Sequence, residues 1–157
     1  MIYVLELENN KYYVGKSKDI EKRYNDHING IASEWTKIHK PIKILQTLQC
    51  KSPYHHDRCI KEYMLKYGID NVRGGSYSSI ELNHSTKIFL QQIIWSSNGL
   101  CSRCGRKNHI YEDCNMDFDI NGKIIYDSSE SSNSETEYSS YSSDNYTFGH
   151  LKCRFLQ

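Results

Sequence analysis

The fold is decided by the stretch MIYVLELENNKYYVGKSKDIEKRYNDH, which runs from Met1 to His27. Two short apolar runs, Ile2–Leu7 and Tyr12–Val14, flank the polar residues 8–11. β-Branched and aromatic side chains favour extended strands, and a short segment that contains asparagine favours a tight turn between them. The stretch therefore predicts a β-hairpin at the start of the chain.

A helix is expected directly after the hairpin. Gly15 ends the second strand, and Ser17 can cap a helix whose first turn is acidic. Apolar side chains then recur at helical spacing from Ile20 to Ile31, with Gly30 as the expected end of the helix. The order strand, turn, strand, helix indicates a small α/β domain.

The hairpin and the first helix resemble the GIY-YIG nuclease module. The resemblance is carried by Ile2-Tyr3-Val4 on the first strand, Tyr13-Val14-Gly15 on the second strand, and Arg23 on the helix. Met1 stands where that family has its first glycine. The resemblance covers about residues 1–82 and implies a GIY-YIG-type sheet, an antiparallel hairpin plus a third strand, flanked by helices.

The signals continue through the rest of this domain. Residues 32–37 predict a loop, and the alternation of side chains in Ile42–Leu48 predicts a third strand. Ser52 is the expected N-cap of a helix that ends at Tyr67, with Gly68 just past its end.

A Gly-rich segment at residues 69–77 requires tight turns, and its Val72–Gly75 is similar to a segment of one GIY-YIG branch. Thr86–Trp95 predicts a further helix, capped by Ser85. The sequence thus divides into a GIY-YIG-like domain at 1–82, a helix and linker at 83–100, a cysteine motif at 101–114, a short hairpin with Asn121-Gly122 as a type I′ turn at 115–126, and a tail at 127–157.

The resemblance implies an active site in the first domain. In the GIY-YIG family the two motif tyrosines, the helix arginine and an acidic residue on a later helix act together, and some members add a histidine. Carried to the matching positions of this sequence, these residues are Tyr3, Tyr13, Arg23, Glu62 and His27. The two tyrosines would share one sheet face, and Arg23 and His27 would share one helix face.

Hydrolysis of a phosphodiester needs an activated water and compensation of negative charge. The resemblance implies Mg²⁺ or Mn²⁺, with Glu62 as the expected carboxylate ligand and Asp57 as its rival on the same helix. Lys16, and Arg73 beside two glycines, are candidate phosphate contacts, with an exposed lysine and a structural turn as the alternatives. Asn71 matches a loop asparagine that some family members use.

The cysteine motif reads Cys101-x2-Cys104-x4-His109-x4-Cys114. Three thiolates and one imidazole complete a tetrahedral Zn²⁺ site, and the two-residue gap lets one turn present two sulfur atoms. This spacing resembles the zinc knuckle, which implies binding of single-stranded nucleic acid. A structural metal staple and a protein-binding knuckle are the alternatives.

Basic residues of the motif are the expected nucleic-acid contacts, namely Arg103, Arg106 and Lys107. Asn108 stands where the knuckle usually has glycine, and asparagine tolerates the left-handed backbone that such a position requires.

A second group of metal-binding residue types consists of Cys50, His55, His56 and Cys59. Cys59 falls on the apolar face of its predicted helix, so a buried thiol is favoured over a metal ligand. Cys153 is expected to be a free thiol in the tail.

Charge is unevenly distributed along the 157 residues, whose net charge is +1. Residues 1–114 hold 17 Lys/Arg against 12 Asp/Glu, whereas residues 115–157 hold 3 against 7. The basic part suits a polyanion such as DNA. The Ser-rich acidic tail at 127–157 is expected to be disordered and open to phosphorylation.

Membrane and secretion signals are missing from the sequence. No apolar run is long enough to span a membrane, and the start carries no signal-peptide pattern. An intracellular protein with reduced cysteines is therefore expected. The sequence does not indicate an oligomeric state.

The leading hypothesis is a metal-dependent endonuclease that hydrolyses DNA and uses a zinc knuckle to aid nucleic-acid binding. Two alternatives stay open: a catalytically inactive nucleic-acid-binding adaptor on the same fold, and a protein-interaction module. Met1 in place of the first motif glycine favours the adaptor, whereas Tyr13 and Arg23 favour the enzyme.

Overall fold

The computed structural model describes residues 1–125. The predictions of a strand that ends at Tyr126, a disordered tail at 127–157 and a free thiol at Cys153 lie outside this range. Within it, no helix has the length and apolarity needed to cross a membrane. Internal contacts divide the chain into two units, Met1–Ile94 and a second unit that begins at Trp95.

The described residues form strands and α-helices in the order expected of a mixed α/β domain. The strands are β1 (Ile2–Leu7), β2 (Lys11–Lys16), β3 (Pro41–Leu48) and β4 (Val72–Arg73). The helices are α1 (Ile20–Ile28), α2 (Glu34–Ile38), α3 (His55–Tyr67) and α4 (His84–Ser97), and 3₁₀ turns lie at Glu8–Asn10 and Ile69–Asn71. The predicted α/β class is therefore confirmed.

The sheet has the spatial order β3-β1-β2-β4. β1 is antiparallel to both β2 and β3, whereas β2 is parallel to β4. The predicted hairpin and third strand are both present, and β4 is an additional strand from the Gly-rich segment. Because β1 and β2 are the two central strands, both motif tyrosines lie in the middle of the sheet.

The turn of the hairpin explains its asparagines. β1 pairs with β2 so that Tyr3 lies opposite Gly15. The strands are joined by the 3₁₀ turn, in which Asn9 and Asn10 have φ of 60° and 55°. Asparagine enters this left-handed region more readily than most other L-residues, because its short amide can bond locally to the backbone.

The helix caps differ from the predicted ones. The carboxylate of Asp19 accepts a backbone N–H of the first turn of α1 at 3.0 Å, so Asp19 and not Ser17 is the N-cap. The side chain of Asn83, not Ser85, accepts the amide of Thr86 at 2.7 Å at the start of α4. In both cases the true cap lies two residues from the expected one.

Long-range packing decides two further differences from the prediction. Residues 32–37, predicted as a loop, contain most of α2, because Trp35 and Thr36 are both buried there. α3 begins at His55 and not at Ser52, and it has no side-chain cap. Its start is instead held by packing, since His55 is itself buried.

The two faces of the sheet carry separate apolar clusters, because alternate side chains of a strand point to opposite faces. One cluster joins the sheet to α3 and α4 and includes Ile2, Val4, Tyr12, Val14, Ile60, Met64, Leu90 and Ile94. The other consists of Tyr3, Leu5, Leu7, Tyr13 and Trp35. The motif tyrosines therefore share the second face.

Arg73 supports this second face and is not the phosphate contact that the sequence predicted. The residue is only 2% exposed. Its guanidinium lies over the ring of Trp35, with 4.6 Å between Cζ and the ring centroid. Its N–H groups donate to the carbonyl oxygens of Ile69, Val72, Ser79 and Ile80. With its donors used inside the protein, Arg73 joins the Gly-rich segment to the rest of the first unit.

The second unit folds the residues after the cysteine motif back onto it. The amide of Ile120 donates to the carbonyl of Cys104 at 2.8 Å. The predicted hairpin is reduced to an isolated antiparallel bridge between Phe118 and Ile124. At its turn Gly122 has a φ of 79° whereas Asn121 does not have a positive φ, so the expected type I′ turn is absent.

Candidate active site and metal centre

A cleft of about 470 Å³ lies beside the two motif tyrosines. Side chains from β1, β2, α1, α3, the start of α2 and the Gly-rich segment contribute to its walls. Its polar lining includes Tyr3, Tyr13, Lys16, Arg23, Glu34 and His56. The structure thus brings Tyr3, Tyr13 and Arg23 together with the expected phosphate contact Lys16.

Gly15 makes room for the ring of Tyr3. A Cβ atom on Gly15 would overlap the Cζ and hydroxyl atoms of Tyr3, which lies opposite it on β1. The glycine of the second motif is therefore required by packing. The first motif differs, because Met1 continues the strand pairing: its carbonyl accepts the amide of Ser17 at 3.0 Å.

A chain of hydrogen bonds leads from Tyr3 into the protein interior. The hydroxyl of Tyr3 is 2.8 Å from Nε2 of His27, and Nδ1 of His27 is 2.8 Å from Oγ1 of Thr36. Oγ1 of Thr36 donates to the carbonyl of Ser33 at 3.0 Å. His27 and Thr36 are fully buried and Tyr3 is nearly so, and each polar group in the chain has a partner.

Burial sets the protonation states around the cleft. Burial, assisted by the neighbouring Tyr13, raises the pKa of Tyr3 to about 12, against the effect of Arg23. Burial and then the charge of Arg23 lower the pKa of His27 to about 4. Burial also raises the pKa of Tyr13. At neutral pH both tyrosines are therefore protonated and the imidazole of His27 is uncharged.

Arg23 presents a partly fixed guanidinium to the cleft. Its Nη2 donates to the carbonyl of Ala32 at 3.2 Å, and its Nη1 is 3.8 Å from the carboxylate of Asp26. The side chain remains 37% exposed. Its positive charge acts to lower the pKa of both Tyr3 and Tyr13, so it lies close to their hydroxyls. A planar guanidinium in this position can bind an anionic phosphate.

The structure separates the two acidic residues of α3. Glu62 is 3.7 Å from the guanidinium of Arg58 and does not line the cleft. Asp57 accepts from the hydroxyl of Ser76 at 3.3 Å, and its Oδ1 would be 2.9 Å from a Cβ atom on Gly75, which lines the cleft. The two positions are about 140° apart around the helix. Neither residue lines the cleft, whose lining carboxylate is Glu34, but Asp57 adjoins the lining residue Gly75, so of the two acids of α3 the geometry favours Asp57.

Asn71 fastens the loop after α3. Its Oδ1 accepts from Nζ of Lys11 at 2.7 Å, and its Nδ2 donates to the carbonyl of Tyr67 at 2.7 Å. The residue does not line the cleft. The structure therefore gives Asn71 a supporting position and not the site position that the resemblance implied.

Sequence reasoning missed several residues near the cleft as parts of a site, among them Ser33, Glu34, Thr36 and His56. Ser33 and Thr36 lie in the stretch predicted as a loop, and no local pattern marks them. His56 was considered only as a metal ligand, but it lines the cleft with Nε2 3.1 Å from the carbonyl of Val14. Because a carbonyl only accepts, Nε2 of His56 carries the hydrogen. The one sequence signal for a site role of His56 is its position next to the candidate acid Asp57.

The second group of metal-binding residue types is not assembled into a site. Nδ1 of His55 accepts the amide of Lys51, and Cys59 is buried on the apolar face of α3, as favoured. Among residues 1–125, the cysteine motif is the group that brings three or more such ligands together.

The cysteine motif forms a compact ligand set. The ligand atoms of its four metal-binding residues all lie within 4.8 Å of one another, and Sγ of Cys104 is 3.2 Å from Nε2 of His109. In a tetrahedral site with Zn–S bonds of about 2.3 Å, sulfur atoms are about 3.8 Å apart. Cys101, Cys104, His109 and Cys114 can therefore hold a metal ion such as zinc.

Two residues with a left-handed backbone conformation shape the loops of the motif. Gly105 has a φ of 74°, and its amide donates to the carbonyl of Cys101 at 2.7 Å to close the first turn. Asn108 has a φ of 78°, as its place at the usual glycine position predicts. Asparagine therefore supplies the backbone geometry that leads into His109.

The arginines of the motif brace the segment that follows it. Nη1 of Arg103 donates to the carbonyls of Cys114 and Met116, both at 2.9 Å. Arg106 donates to the carbonyl of Phe118 at 2.6 Å. These bonds revise the expectation that both side chains reach out to nucleic acid. Lys107, by contrast, is exposed.

The surroundings of Cys114 favour its thiolate. Burial raises the pKa of its thiol, but hydrogen bonds from the Met116 amide, Arg103, His109 and Cys104 together lower the pKa to about 6. Burial raises the pKa of Cys101. Because the thiolate is the form that binds metals, Cys114 is the better prepared of these two ligands.

Comparison with known proteins agrees with the resemblance seen in the sequence. Residues 1–66 match the family model of the GIY-YIG catalytic domain, as the resemblance predicted. That family is of the nuclease type, which agrees with a cleft lined by Tyr3, Tyr13 and Arg23. No solved structure matches the chain.

The curated relatives are bacterial UPF0213 proteins. The one from Fusobacterium nucleatum is 37% identical over 51 residues, which are 32% of this chain and 51% of the relative. The one from Staphylococcus saprophyticus is 39% identical over 44 residues, 28% of this chain and 54% of the relative. The one from Listeria welshimeri is 37% identical over 43 residues, which are 27% of this chain and 48% of the relative. The chain thus spans about half the length of these relatives, and their names state no reaction.

Proposed function

We propose that the first unit is a metal-dependent endonuclease that hydrolyses phosphodiester bonds of DNA. The observation that carries this proposal is the cleft in which Arg23 and the Tyr3–His27 pair meet. A guanidinium suits the charge of a phosphate, and a hydroxyl bonded to a neutral imidazole suits the removal of a proton from water.

The pKa values limit how the proton can move. The pKa of Tyr3, raised to about 12, lies far above that of His27, lowered to about 4, so transfer of a proton from Tyr3 to His27 is strongly uphill. A phenolate is therefore not populated in the empty cleft. Binding of substrate changes the charge in the cleft. Under that condition, Tyr3 can accept a proton from the attacking water only as it passes its own proton to His27.

Arg23 has the role of charge stabilisation in this proposal. The phosphate gains negative charge as water attacks, and the guanidinium can donate two parallel hydrogen bonds to its oxygens. Lys16 adds a second positive charge at the cleft wall. Arg73 has no such role, because its donors are used in the interior.

The chemistry of the donors fits a divalent cation at the α3 side of the cleft. Mg²⁺ is held by one or two carboxylates together with substrate phosphate oxygens and water. Asp57 would supply the carboxylate, since its Oδ2 takes only a hydroxyl bond from Ser76 and its Oδ1 faces the cleft-lining Gly75. When bound, the ion would compensate charge on the phosphate.

The second unit is proposed to bind Zn²⁺ and to add affinity for nucleic acid, single-stranded nucleic acid in particular. Its ligand set supports zinc, and the exposed Lys107 and Tyr111 offer a cation and an aromatic face for a base. An intracellular location belongs to the proposal, because free thiols and a thiolate metal centre persist in reducing compartments.

The test is cleavage of plasmid, branched and single-stranded DNA by the full chain, with Mg²⁺ or Mn²⁺ and with EDTA as a control. We expect metal-dependent cleavage of at least one substrate, which Arg23→Ala abolishes without loss of fold. Binding without cleavage in every case would instead support the inactive adaptor. Equal cleavage by the parent and Arg23→Ala would point to a contaminating nuclease.

A further inference from the structure

Thr36 lies behind His27, on the side away from Tyr3. The residue is fully buried, and its Oγ1 is 2.8 Å from Nδ1 of His27. It belongs to α2, whose N-cap residue is Ser33. Neither the sequence pattern nor the chemistry proposed above assigns it a role.

The direction of each hydrogen bond follows from the donors available. The hydroxyl of Thr36 has one hydrogen, and that hydrogen is donated to the carbonyl of Ser33, which can only accept. With its hydrogen in that bond, Oγ1 of Thr36 acts as an acceptor toward His27. Nδ1 of His27 must then carry a hydrogen and donate it.

The other nitrogen of the ring follows from this assignment. His27 is uncharged at neutral pH, because burial lowers its pKa to about 4, and a neutral imidazole has a single N–H. With the hydrogen on Nδ1, Nε2 carries the lone pair. The hydroxyl of Tyr3, 2.8 Å away, therefore donates to Nε2. This arrangement satisfies every hydrogen bond of the buried chain, including that from Thr36 to the carbonyl of Ser33.

We propose that Thr36 is a positioning residue that fixes His27 in the Nδ1–H tautomer, so that Nε2 is the base facing Tyr3. In the opposite tautomer Thr36 would have to turn its hydrogen away from the carbonyl of Ser33 and donate it to Nδ1, and Nε2–H would then donate to the hydroxyl of Tyr3. The buried threonine thus decides in which direction a proton can leave Tyr3. The catalytic consequence rests on the proposed nuclease function, whereas the tautomer itself does not.

The tautomer can be read directly from the ¹⁵N signals of the His27 ring in the full chain at neutral pH. We expect a protonated Nδ1 and an unprotonated Nε2 in the parent protein. Thr36→Val keeps the shape of the side chain but removes the acceptor, so we expect a mixture of both tautomers. Thr36→Ser keeps the hydroxyl and should restore the parent signals.

Cleavage supplies the second readout. Thr36→Val should lower kcat by about 10- to 100-fold with little change in KM, and Thr36→Ser should recover most of the loss. Thr86→Val, at the start of α4 and outside the cleft, is the matched control and should cleave like the parent.

The outcomes separate this inference from the proposed function. Nε2–H on His27 in the parent protein would overturn the inference, whatever the activity, and so would parent-like signals in Thr36→Val. The parent spectrum decides the tautomer even if Thr36→Val does not fold. The predicted tautomer in a protein that cleaves nothing would uphold the role of Thr36 in the fold and contradict the nuclease.

Discussion

The cleft and the cysteine motif are built in opposite ways. The cleft draws on side chains from several strands and helices between Tyr3 and Ser78, and its buried hydrogen-bond chain exists only when the sheet and α2 are in place. The motif takes its four ligands from residues 101–114 alone. The first site therefore depends on tertiary folding of its unit, whereas the second takes its ligands from one short stretch of the chain.

This contrast extends to the role of polar groups. In the cleft, burial holds Tyr3 and His27 neutral, and charge would enter with substrate. In the motif, hydrogen bonds favour a charged thiolate at Cys114, as a cation would require. A cleft that presents Arg23 and Lys16 beside two protonated tyrosines is suited to chemistry on an anion, whereas a thiolate cluster is suited to holding a metal.

The largest expected effect concerns Arg23. We expect Arg23→Ala to lower kcat by about 10³-fold, because the charge that develops on the phosphate loses its main partner. Arg23→Lys should be nearly as inactive, since lysine cannot donate two parallel bonds. Single-turnover cleavage measures both effects. Full activity of the lysine variant would mean that positive charge alone is sufficient.

The acidic residues of α3 give the next effect. Asp57→Asn should lower cleavage by at least about 100-fold while DNA binding persists, because the proposed cation loses its carboxylate. Glu62→Gln is the matched control on the same helix and should stay within about threefold of the parent. Titration with Mn²⁺ should give a weaker apparent affinity for Asp57→Asn alone. Loss of cleavage in Glu62→Gln, with cleavage retained in Asp57→Asn, would instead indicate Glu62 as the ligand.

A pH dependence of stability follows from His27. Its pKa in the folded state, about 4, lies below the ordinary value of 6.5, so the unfolded chain takes up the proton first and stability falls as the pH drops from about 6.5 toward 4. We expect a loss of about 2 kcal/mol between pH 7 and pH 4.5 from this residue. Urea unfolding followed by Trp35 fluorescence measures it.

The control for this effect is His27→Gln, which cannot take up a proton in this range. Between pH 7 and pH 4.5, the stability of this variant should fall by about 2 kcal/mol less than that of the parent. Equal slopes in the two proteins would show that His27 is not held neutral by burial.

The smallest effect is expected at the cysteine motif. Cys104→Ser should release zinc and weaken DNA binding by about tenfold, with a smaller salt dependence, because a tethered contact is lost. Cleavage at saturating protein should remain, since the motif supplies no group to the cleft chemistry. Zinc content and binding isotherms measure these changes. Loss of cleavage at saturation would tie the motif to catalysis.

Local sequence signals were sufficient for part of the molecule. The hairpin follows from two apolar runs around asparagines, and the metal ligands follow from the spacing of four residues, so both could be predicted. β3 also follows from its own alternation of side chains. In each case the information lies within a stretch of sequence no longer than the element itself.

The remaining features depend on contacts between distant residues. α2 exists because Trp35 and Thr36 are buried, and Arg73 is internal because four carbonyls and the Trp35 ring surround it. Asp57 could not be preferred to Glu62 until the place of Gly75 was known. The periodicity of a sequence predicts which face of a helix is apolar, but it does not predict which residues pack against that face.

The most direct test of the account removes a single oxygen atom from the cleft. Tyr3→Phe keeps the ring that packs on Gly15 and deletes only the hydroxyl bonded to His27. Single-turnover cleavage of the best DNA substrate should fall by at least about 100-fold, with DNA binding close to that of the parent and a loss of about 1–3 kcal/mol in stability, because Nε2 of His27 loses its partner. Parent-like cleavage by Tyr3→Phe would contradict the proposal that the Tyr3–His27 pair takes the proton from the attacking water.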